Sequence, residues 1–500
     1  MQLSGENSKP ECDIIIHKKN DVFLQVECER SIARELNDFF SFWVPEAKYM
    51  PAYKSRMWDG KIRLFDSRVN QIYVGLSDYL REFADKRNYS IEGGDWSTIA
   101  THREDVESFV SSLQIPIQPR DYQIDAVHHA IRNGRSVLVS PTASGKSLII
   151  YILIRYFEKV FYDPKLTNIL LLVPTTSLVE QMYKDFEDYG WDVEKYCHRV
   201  YAGRDKISDD SVTITTWQSI YKLDRKYFNN FDVVIGDEAH LFKSKSLVSI
   251  MTKMLDCKYR YGFTGTLDGT QTHKWVLEGL FGPTYKIIRT DELMKKGYLS
   301  KLNIKVLTLK HPARKFENYE DEIQYLITHT QRNNFIKNLT LDQKGNTLIL
   351  YTRVESHGLP LFDLINSNKE ENRKCFFVHG GVDTEDREEV RRITEKEDNA
   401  IIIASYGTFS TGINIKNLHN VIFASPNKSK IRNLQSIGRV LRKGDNKIKA
   451  TLFDIADDIT YGSSKNYTLN HMMERVKIYN EENFNYEMLT IPLKKCQINF

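Results

Sequence analysis

Ser136-Val-Leu-Val-Ser-Pro-Thr-Ala-Ser-Gly-Lys-Ser-Leu-Ile-Ile-Tyr-Ile-Leu-Ile154 decides the fold. It opens with an apolar strand and closes with an apolar helix. Between them lies a turn made of Pro141, Thr142, Ala143, Ser144, Gly145, Lys146 and Ser147. Strand, Gly-Lys-Ser turn and helix is the order a phosphate-binding loop requires. Backbone N–H groups of the turn and of the helix start would face the phosphates of a nucleoside triphosphate such as ATP. Lys146 would bring a charge to the β- and γ-phosphates, and Ser147 a hydroxyl to Mg²⁺. Ser140 stands where the usual pattern opens with glycine, so the strict consensus is not met. An ordinary strand–turn–helix with a surface lysine is the competing reading of this segment alone.

Outward from the loop, short apolar runs alternate with helical stretches. Within 117–289 the runs are Val137–Val139, Ile169–Val173, Val212–Thr215 and Val233–Ile235. Within 290–455 they are Thr347–Tyr351, Cys375–Val378, Ile401–Ala404, Val421–Ala424 and Thr451–Asp454. That alternation predicts parallel sheets covered by helices, so the fold class is α/β with two tandem parallel-sheet domains. Residues 1–90 mix short strands and helices and read as a small α+β accessory domain. A linker is expected over 91–116, before the proline-marked Ile115-Pro-Ile-Gln-Pro119. Residues 456–500 are expected to form a short helical C-terminal region, with a helix over Tyr467–Asn480.

Asp237-Glu238-Ala239-His240 follows the apolar run Phe231–Gly236. The C-terminal end of a parallel strand is where such sheets bind ligands. Asp237 can hold Mg²⁺ there, and Glu238 can orient and deprotonate the water that attacks a γ-phosphate. An Asp-Glu pair on its own is common as a helix cap. Its place after a buried strand, in a chain that also carries the loop at 141–147, favours the catalytic reading.

The 500-residue chain suits roughly three domains at about 150 residues each. Its formal net charge of +4 is too small to identify a nucleic-acid partner. Local charge says more. Between Lys428 and Lys449 eight basic residues face one acid, Asp445. The stretch Lys54–Arg68 interleaves basic residues with Trp58 and Phe65, and Tyr53 precedes it. Basic and aromatic residues together suit phosphate backbones and base faces, although a solvated charged face is an equal reading of either stretch. None of the six cysteines forms a CxxC pair, which argues against zinc and a disulfide framework and fits a reducing cytoplasm. No apolar run approaches the roughly 20 residues of a membrane span, so no membrane partner is expected.

These motifs, in this order, resemble those of superfamily 2 helicases of the DEAH group, built from two RecA-like domains. The resemblance spans both α/β domains. Arg120-Asp-Tyr-Gln123 resembles the adenine-recognition motif. Pro174, Thr175, Thr176 and Gln181 match motif Ia, Thr215 and Thr216 a later nucleic-acid motif, and Thr264-Gly-Thr266 motif III. Thr352 and Arg353, and His379 and Gly380, match backbone-binding motifs of the second domain. Ser405, Thr411, Gly412 and Asn414 lie in a segment similar to motif V, where Asn414 departs from the frequent Asp. Gln435-Ser-Ile-Gly-Arg439-Val-Leu-Arg442 resembles motif VI, and helical spacing puts Arg439 and Arg442 on one face. The resemblance implies a catalytic set of Lys146, Asp237, Glu238, His240, Arg439 and Arg442. It implies ATP contacts from Arg120, Gln123, 140–147, Gly412 and Asn414, and Mg²⁺ at Ser147 and Asp237.

The N-terminal string Trp58-Asp-Gly-Lys-Ile-Arg-Leu-Phe65 is similar to that of phage helicases acting on branched DNA, and marks Trp58, Lys61 and Arg63 as DNA contacts. What this implies is an ATP-hydrolysing DNA motor, monomeric, in the host cytoplasm. Its substrates would be branched, duplex and single-stranded DNA, in Holliday-junction branch migration, fork regression and R-loop dissolution during recombination, repair and replication. An RNA helicase stays open, because such motifs grip backbone without choosing the sugar. A nuclease-coupled motor rests only on Pro45-Glu-Ala-Lys48 with Asp38 upstream. A non-catalytic junction binder is the fourth class.

Overall fold

Alternating burial along one strand explains how the first α/β domain is layered. In Ile169–Val173 every residue is buried, yet Leu170 and Leu172 join one apolar core while Ile169, Leu171 and Val173 join the other. A strand covered by helices on both faces reads as a continuous apolar run, as parallel sheets require. The computed structural model describes residues 12–44, 47–94, 99–160, 168–201, 205, 210–267, 269–412, 415, 417–442 and 449–493. It divides into two compact units, one comprising Met1–Ser140 and Gly145–Ile287, the other containing Ile288–Phe500.

In the first unit, β1 (Ile14–Lys18), β2 (Phe23–Cys28), β5 (Phe65–Asp66), β6 (Gln71–Tyr73) and β7 (Ile91–Gly93) form a sheet of order β5-β6-β2-β1-β7. A separate ribbon pairs β3 (Ser41–Trp43) with β4 (Lys61–Arg63), antiparallel. The helix Ser77–Arg87 and the helix Arg30–Phe39, whose Ile32, Ala33 and Leu36 are buried, complete this α+β module. The segment 91–116, expected as a linker, carries β7, paired with β1, and a helix Arg103–Ser112 that buries Val106 and Val110. Its apolar i, i+4 pair explains why it folds onto the domain.

The larger sheet of this unit comprises β8 (Arg135–Val139), β9 (Ile169–Val173), β10 (Cys197–Val200), β11 (Val212–Thr216), β12 (Val233–Gly236), β13 (Tyr259–Thr264) and β14 (Thr284–Lys286). All its pairings are parallel, in the order β10-β11-β9-β12-β13-β8-β14. The strands leading into the loop and into Asp237 are thus separated only by β13. Leu148–Ile154 of the helix Lys146–Val160 are all buried, so its apolarity serves the core. Among the described residues no helix is long and apolar enough to cross a membrane.

The α+β module shares a core with the larger sheet. Trp275, 4% exposed on the helix Gln271–Phe281, meets the rings of Tyr79, Phe42, Phe40 and Phe39 at centroid distances of 4.3, 4.9, 5.4 and 5.6 Å. Tyr79 donates a hydrogen bond of 2.7 Å to Glu278 Oε2. A Cβ on Gly75 would lie 1.9 Å from the Glu278 carbonyl oxygen, so only glycine permits this close approach.

The second unit has its own seven-stranded parallel sheet. Its strands are β15 (Lys301–Lys310), β16 (Thr347–Tyr351), β17 (Cys375–Val378), β18 (Ile401–Ser405), β19 (Asn420–Phe423), β20 (Lys449–Asp458) and β21 (Tyr486–Pro492). The order is β17-β18-β16-β19-β20-β15-β21. The C-terminal region is more than helical. After the helix Tyr467–Glu481 the chain adds β21 as an edge strand parallel to β15.

Candidate nucleotide site and nucleic-acid motifs

β8 delivers the chain to the loop, where two residues take left-handed backbone: Ala143 at φ 68° and Gly145 at φ 80°. Such backbone turns successive N–H groups inward and suits anion binding. Gln123, 3% exposed, fastens this region. Its Oε1 accepts the Arg120 N–H at 2.8 Å and its Nε2 donates to the Gly145 carbonyl at 3.3 Å. A Cβ on Gly145 would stand 2.4 Å from that Nε2. Ser144 Oγ donates to the Pro141 carbonyl within the loop, at 2.7 Å.

Lys146 and Ser147 open the following helix. Lys146 Nζ is 3.8 Å from Glu238 Oε1, and Ser147 Oγ is 2.9 Å from the Tyr189 hydroxyl. Asp237 and Glu238 leave the end of β12 beside β13. Glu238 adopts φ 50°, ψ 50°, an unfavourable conformation for a residue with a Cβ. Its Oε2 lies 3.3 Å from His240 Nδ1, which is 3.1 Å from Thr264 Oγ1. Thr264 in turn donates to the Thr266 carbonyl at 3.0 Å. The motif III threonine therefore joins the carboxylate pair through His240. Ala239 is fully buried, and a Cβ on Gly262 would come within 3.0 Å of the Ala239 methyl. The two small residues let the turn lie flat on the sheet.

Asp237 is 6% exposed, and its Oδ1 has no hydrogen-bond partner. Burial, and then the Glu238 carboxylate, push its carboxyl upward, while Lys146 opposes them. A buried carboxylate oxygen without a partner is what a cation site leaves behind. Mg²⁺ needs only one or two carboxylate or hydroxyl ligands besides water and substrate phosphates, so Ser147 and Asp237 fit it. Bound there, the ion would neutralise charge on the β- and γ-phosphoryl oxygens.

The nucleic-acid motifs fare unevenly. Thr176 and Gln181 are exposed on the helix Thr176–Asp188. Thr175 caps that helix, its hydroxyl accepting from the Leu178 N–H at 3.3 Å, and the Pro174 carbonyl accepts from Gln218 Nε2. Thr215 is fully buried, its hydroxyl donating to the Val200 carbonyl at 2.8 Å, and Thr216 pairs with Ser219 at 2.9 Å. Thr215 thus belongs to the sheet interior, and its hydroxyl does not face solvent. In the N-terminal module Arg63 is engaged by Asp59, and Trp58 Nε1 donates to the Lys61 carbonyl at 2.8 Å. Phe65 is fully buried in the core and is unavailable to bases.

In the second unit Arg439 lies on the helix Lys430–Val440, its guanidinium carbon 5.8 Å from the Phe409 ring centre. The helix ends before Arg442, so the expected shared helical face does not extend to it. Thr352 is exposed, with its N–H bonded to Ser425 Oγ at 3.2 Å, and Arg353 pairs with Glu320. His379 Nδ1 accepts from the Gly381 N–H at 3.1 Å, and the Gly380 carbonyl accepts from Arg387. Ser405 and Thr408 hydroxyls are 2.8 Å apart. The side chain of Thr411 is not described, and Asn414, like Glu46 of the nuclease-like string, lies outside the described residues; Gly412 ends the helix Tyr406–Gly412.

Sequence reasoning missed how the C-terminal helix holds the arginine helix. Arg475, 1% exposed, forks onto Asp454 through Nε at 2.9 Å and Nη2 at 2.7 Å. Its Nη1 donates to the Asn427 carbonyl at 3.2 Å, just before the helix Lys430–Val440. Tyr479 donates to Asp454 Oδ2 at 2.8 Å. Glu322, fully buried, accepts from the Tyr467 and Thr468 N–H groups at 2.8 and 2.7 Å and so caps the C-terminal helix. An i, i+4 apolar pattern alone carries no signal of such long-range ion pairs.

Comparison with known proteins decides the family. Residues 116–269 match the family model for the type III restriction enzyme res subunit, residues 13–93 that for the N-terminal part of DNA helicase UvsW, and residues 330–444 that for the helicase conserved C-terminal domain. The ATP-dependent DNA helicase uvsW of Enterobacteria phage T4 is 36% identical over 510 aligned positions, covering 96% of this chain and 100% of that one. The chain belongs to the UvsW helicase family. The crystal structure of T4 UvsW aligns over 96% of this chain at 34% identity, with a TM-score of 0.52, and is itself covered completely. The restriction-modification enzyme LlaBIII bound to DNA, at 16% identity, covers 77% of this chain with a TM-score of 0.57 and 32% of its own length, and shares the fold. Like the helicases of its family, this UvsW relative is an ATP-dependent helicase, with a nucleotide as substrate and nucleic acid as partner.

Proposed function

We propose that the chain is an ATP-driven DNA translocase that works on branched DNA: it migrates Holliday junctions, regresses stalled forks and dissolves R-loops. The observation that carries the ATP-driven part is the cluster at the end of β12. The Glu238 carboxylate is held between Lys146 at 3.8 Å and His240 at 3.3 Å, beside the buried Asp237 oxygen that lacks a partner. Phosphoryl transfer needs little covalent chemistry from a protein and much positioning and charge. Lys146 meets the β- and γ-phosphates, Asp237 and Ser147 hold Mg²⁺, and Glu238 orients and deprotonates the attacking water. His240 and Thr264 keep Glu238 in place. Gln123 with Arg120 reads the adenine, and Arg439 and Arg442 are the arginines that the likeness to motif VI assigns to catalysis.

The DNA part is supported by likeness over 96% of the chain to a DNA helicase, including the N-terminal module. Branch migration breaks one base pair for each formed, so its net cost is near zero, whereas plain unwinding costs about 1.4 kcal/mol per base-pair step. A compact motor with one small accessory module is compatible with either task. DNA repair, recombination and replication in a phage-infected host cytoplasm are the corresponding setting, and the working unit is a monomer. The test compares ATP hydrolysis stimulated by forked DNA with that stimulated by RNA of the same shape. Preference for DNA is expected; equal or greater stimulation by RNA would turn the assignment to an RNA helicase.

A further inference from the structure

Ser147 and Tyr189 are 42 residues apart in sequence, yet their hydroxyls meet at 2.9 Å. Tyr189 belongs to none of the motifs set out above. It closes the helix Thr176–Asp188, its N–H donating to the Asp185 carbonyl at 3.0 Å. Gly190 follows in left-handed backbone at φ 86°, and Trp191, 5% exposed, re-enters the core. The Tyr189 ring is held by the helix that carries Ser147. Tyr151 lies one turn after Ser147, at i, i+4, so the two side chains share a face. Tyr151 is fully buried, and its ring centre is 5.2 Å from that of Tyr189. Arg155, a further turn along, donates to the Tyr151 hydroxyl at 2.9 Å. Ring packing thus fixes where the Tyr189 hydroxyl can point.

Ser147 needs such a partner. It is the second residue of the helix Lys146–Val160. A helical serine has more than one χ1 well open to it, and can turn its hydroxyl back to the carbonyl three or four positions earlier. Here those carbonyls belong to Ser144 and Ala143 of the loop. The contact with Tyr189 draws the Ser147 hydroxyl to another partner. A hydroxyl holds one hydrogen and two lone pairs. An oxygen that gives a lone pair to a cation becomes a stronger O–H donor. The shared hydrogen then belongs to Ser147, the Tyr189 oxygen accepts it, and the Ser147 lone pairs stay free for the ion. Mg²⁺ demands near-ideal octahedral geometry, so the direction of this one protein ligand matters.

We propose that Tyr189 is a positioning residue for Mg²⁺: by accepting the Ser147 O–H it keeps the lone pairs of Ser147 Oγ turned toward the ion. This deepens, and rests on, the assignment of Ser147 and Asp237 to Mg²⁺ above. In this role Tyr189 acts through Ser147 and touches neither the nucleotide nor the ion.

The test measures the affinity of the full chain for a fluorescent, non-hydrolysable ATP analogue in excess EDTA and in Mg²⁺. The ratio of the two affinities is the gain due to Mg²⁺. Tyr189→Phe keeps the ring against Tyr151 and removes only the hydroxyl. It should leave the affinity in EDTA unchanged and cut the gain by about 2- to 13-fold, the worth of one hydrogen bond. Ser147→Ala should cut the gain as well. In the Ser147→Ala background Tyr189→Phe should cut it no further, because no hydroxyl remains to be aimed. Hydrolysis should follow, with Tyr189→Phe needing more Mg²⁺ than the wild type for its half-maximal rate. The positioning role is overturned if Tyr189→Phe keeps the full gain, or if it weakens binding equally with and without Mg²⁺. It is overturned too if Tyr189→Phe cuts the gain as much in the Ser147→Ala background as in the wild type. A wild-type protein that shows no gain, or a Ser147→Ala variant with the full gain, would instead remove the Mg²⁺ assignment on which the role rests.

Discussion

Lys146 Nζ and Glu238 Oε1 stand 3.8 Å apart, with side chains only 16 and 23% exposed, and Glu238 reaches that position from a left-handed backbone at φ 50°. Left-handed backbone costs a residue with a Cβ about 1–2 kcal/mol, and strain of this kind persists where function requires it. Glu238→Gln should lower kcat by about 10²- to 10⁴-fold, the usual worth of a general base, with nucleotide affinity nearly unchanged. Glu238→Gly should also be inactive, yet should gain about 1 kcal/mol of stability by releasing the backbone. Single-turnover hydrolysis, fluorescent-nucleotide binding and urea unfolding check the pair of outcomes. A destabilised Glu238→Gly variant would mean that the contacts of Glu238 outweigh its strain.

Trp275→Ala should be among the costliest substitutions in the first unit. It removes a ring 4% exposed that touches Phe39, Phe40, Phe42 and Tyr79, and large-to-small changes of this type lose about 3–5 kcal/mol. Because those four aromatics all come from the N-terminal module, protease should cut the variant first within residues 12–94. Uniform proteolysis across the first unit would show that the module does not open separately.

The C-terminal helix should be indispensable to the second unit. Arg475→Met leaves Asp454 buried and without its cation, a change that typically costs about 3–5 kcal/mol. Arg475→Met combined with Asp454→Asn should recover part of that loss, because no charge is then stranded, although the Tyr479 hydroxyl then donates to a neutral and weaker acceptor. Denaturant midpoints of the two variants decide it. Equal stability of single and double variants would contradict the role given to the ion pair.

Acid should weaken the second unit well above the carboxylate range. Burial, followed by the Arg332 charge, pushes buried His357 down to about 3. Its folded pKa lies below the unfolded value of about 6.5, so the unfolded chain binds the extra proton as pH falls between those values. Stability is then complete above about pH 6.5 and declines below it, by about 2 kcal/mol from this group by pH 5. His471, pushed by burial to about 4, acts in the same direction. Thermal unfolding of the wild-type chain and of His357→Gln at pH 7 and pH 5 tests this. A slope unchanged by the substitution would assign the acid sensitivity to other groups.

The sequence made the parallel sheets and the nucleotide cluster legible for a physical reason. Doubly covered strands must be continuously apolar, as Ile169–Val173 is, and phosphate chemistry favours a lysine at a helix start, as Lys146 is, and carboxylates at a strand end, as Asp237 and Glu238 are. What stayed hidden depended on long-range partners. β21 is an edge strand whose alternation is weak and whose partner β15 lies far back in the sequence. Arg475 and Glu322 look like surface charges until Asp454 and the Tyr467–Thr468 backbone are seen beside them. Thr215 matched a nucleic-acid motif, but at position four of a fully buried strand its hydroxyl meets the Val200 and Thr216 carbonyls inside the sheet. The aromatic content of residues 43–63 was visible, whereas the split between Phe42 inside and Trp43 outside required the ribbon.

The most direct test of the central claim is ATP-dependent branch migration of a mobile four-way DNA junction by the wild-type chain and by Lys146→Ala. The wild-type protein should resolve the junction into duplex arms at a rate that depends on ATP and Mg²⁺, and Lys146→Ala should bind the junction without moving it. Migration by Lys146→Ala at the wild-type rate, or a wild-type protein that hydrolyses no ATP with any nucleic acid present, would contradict the account.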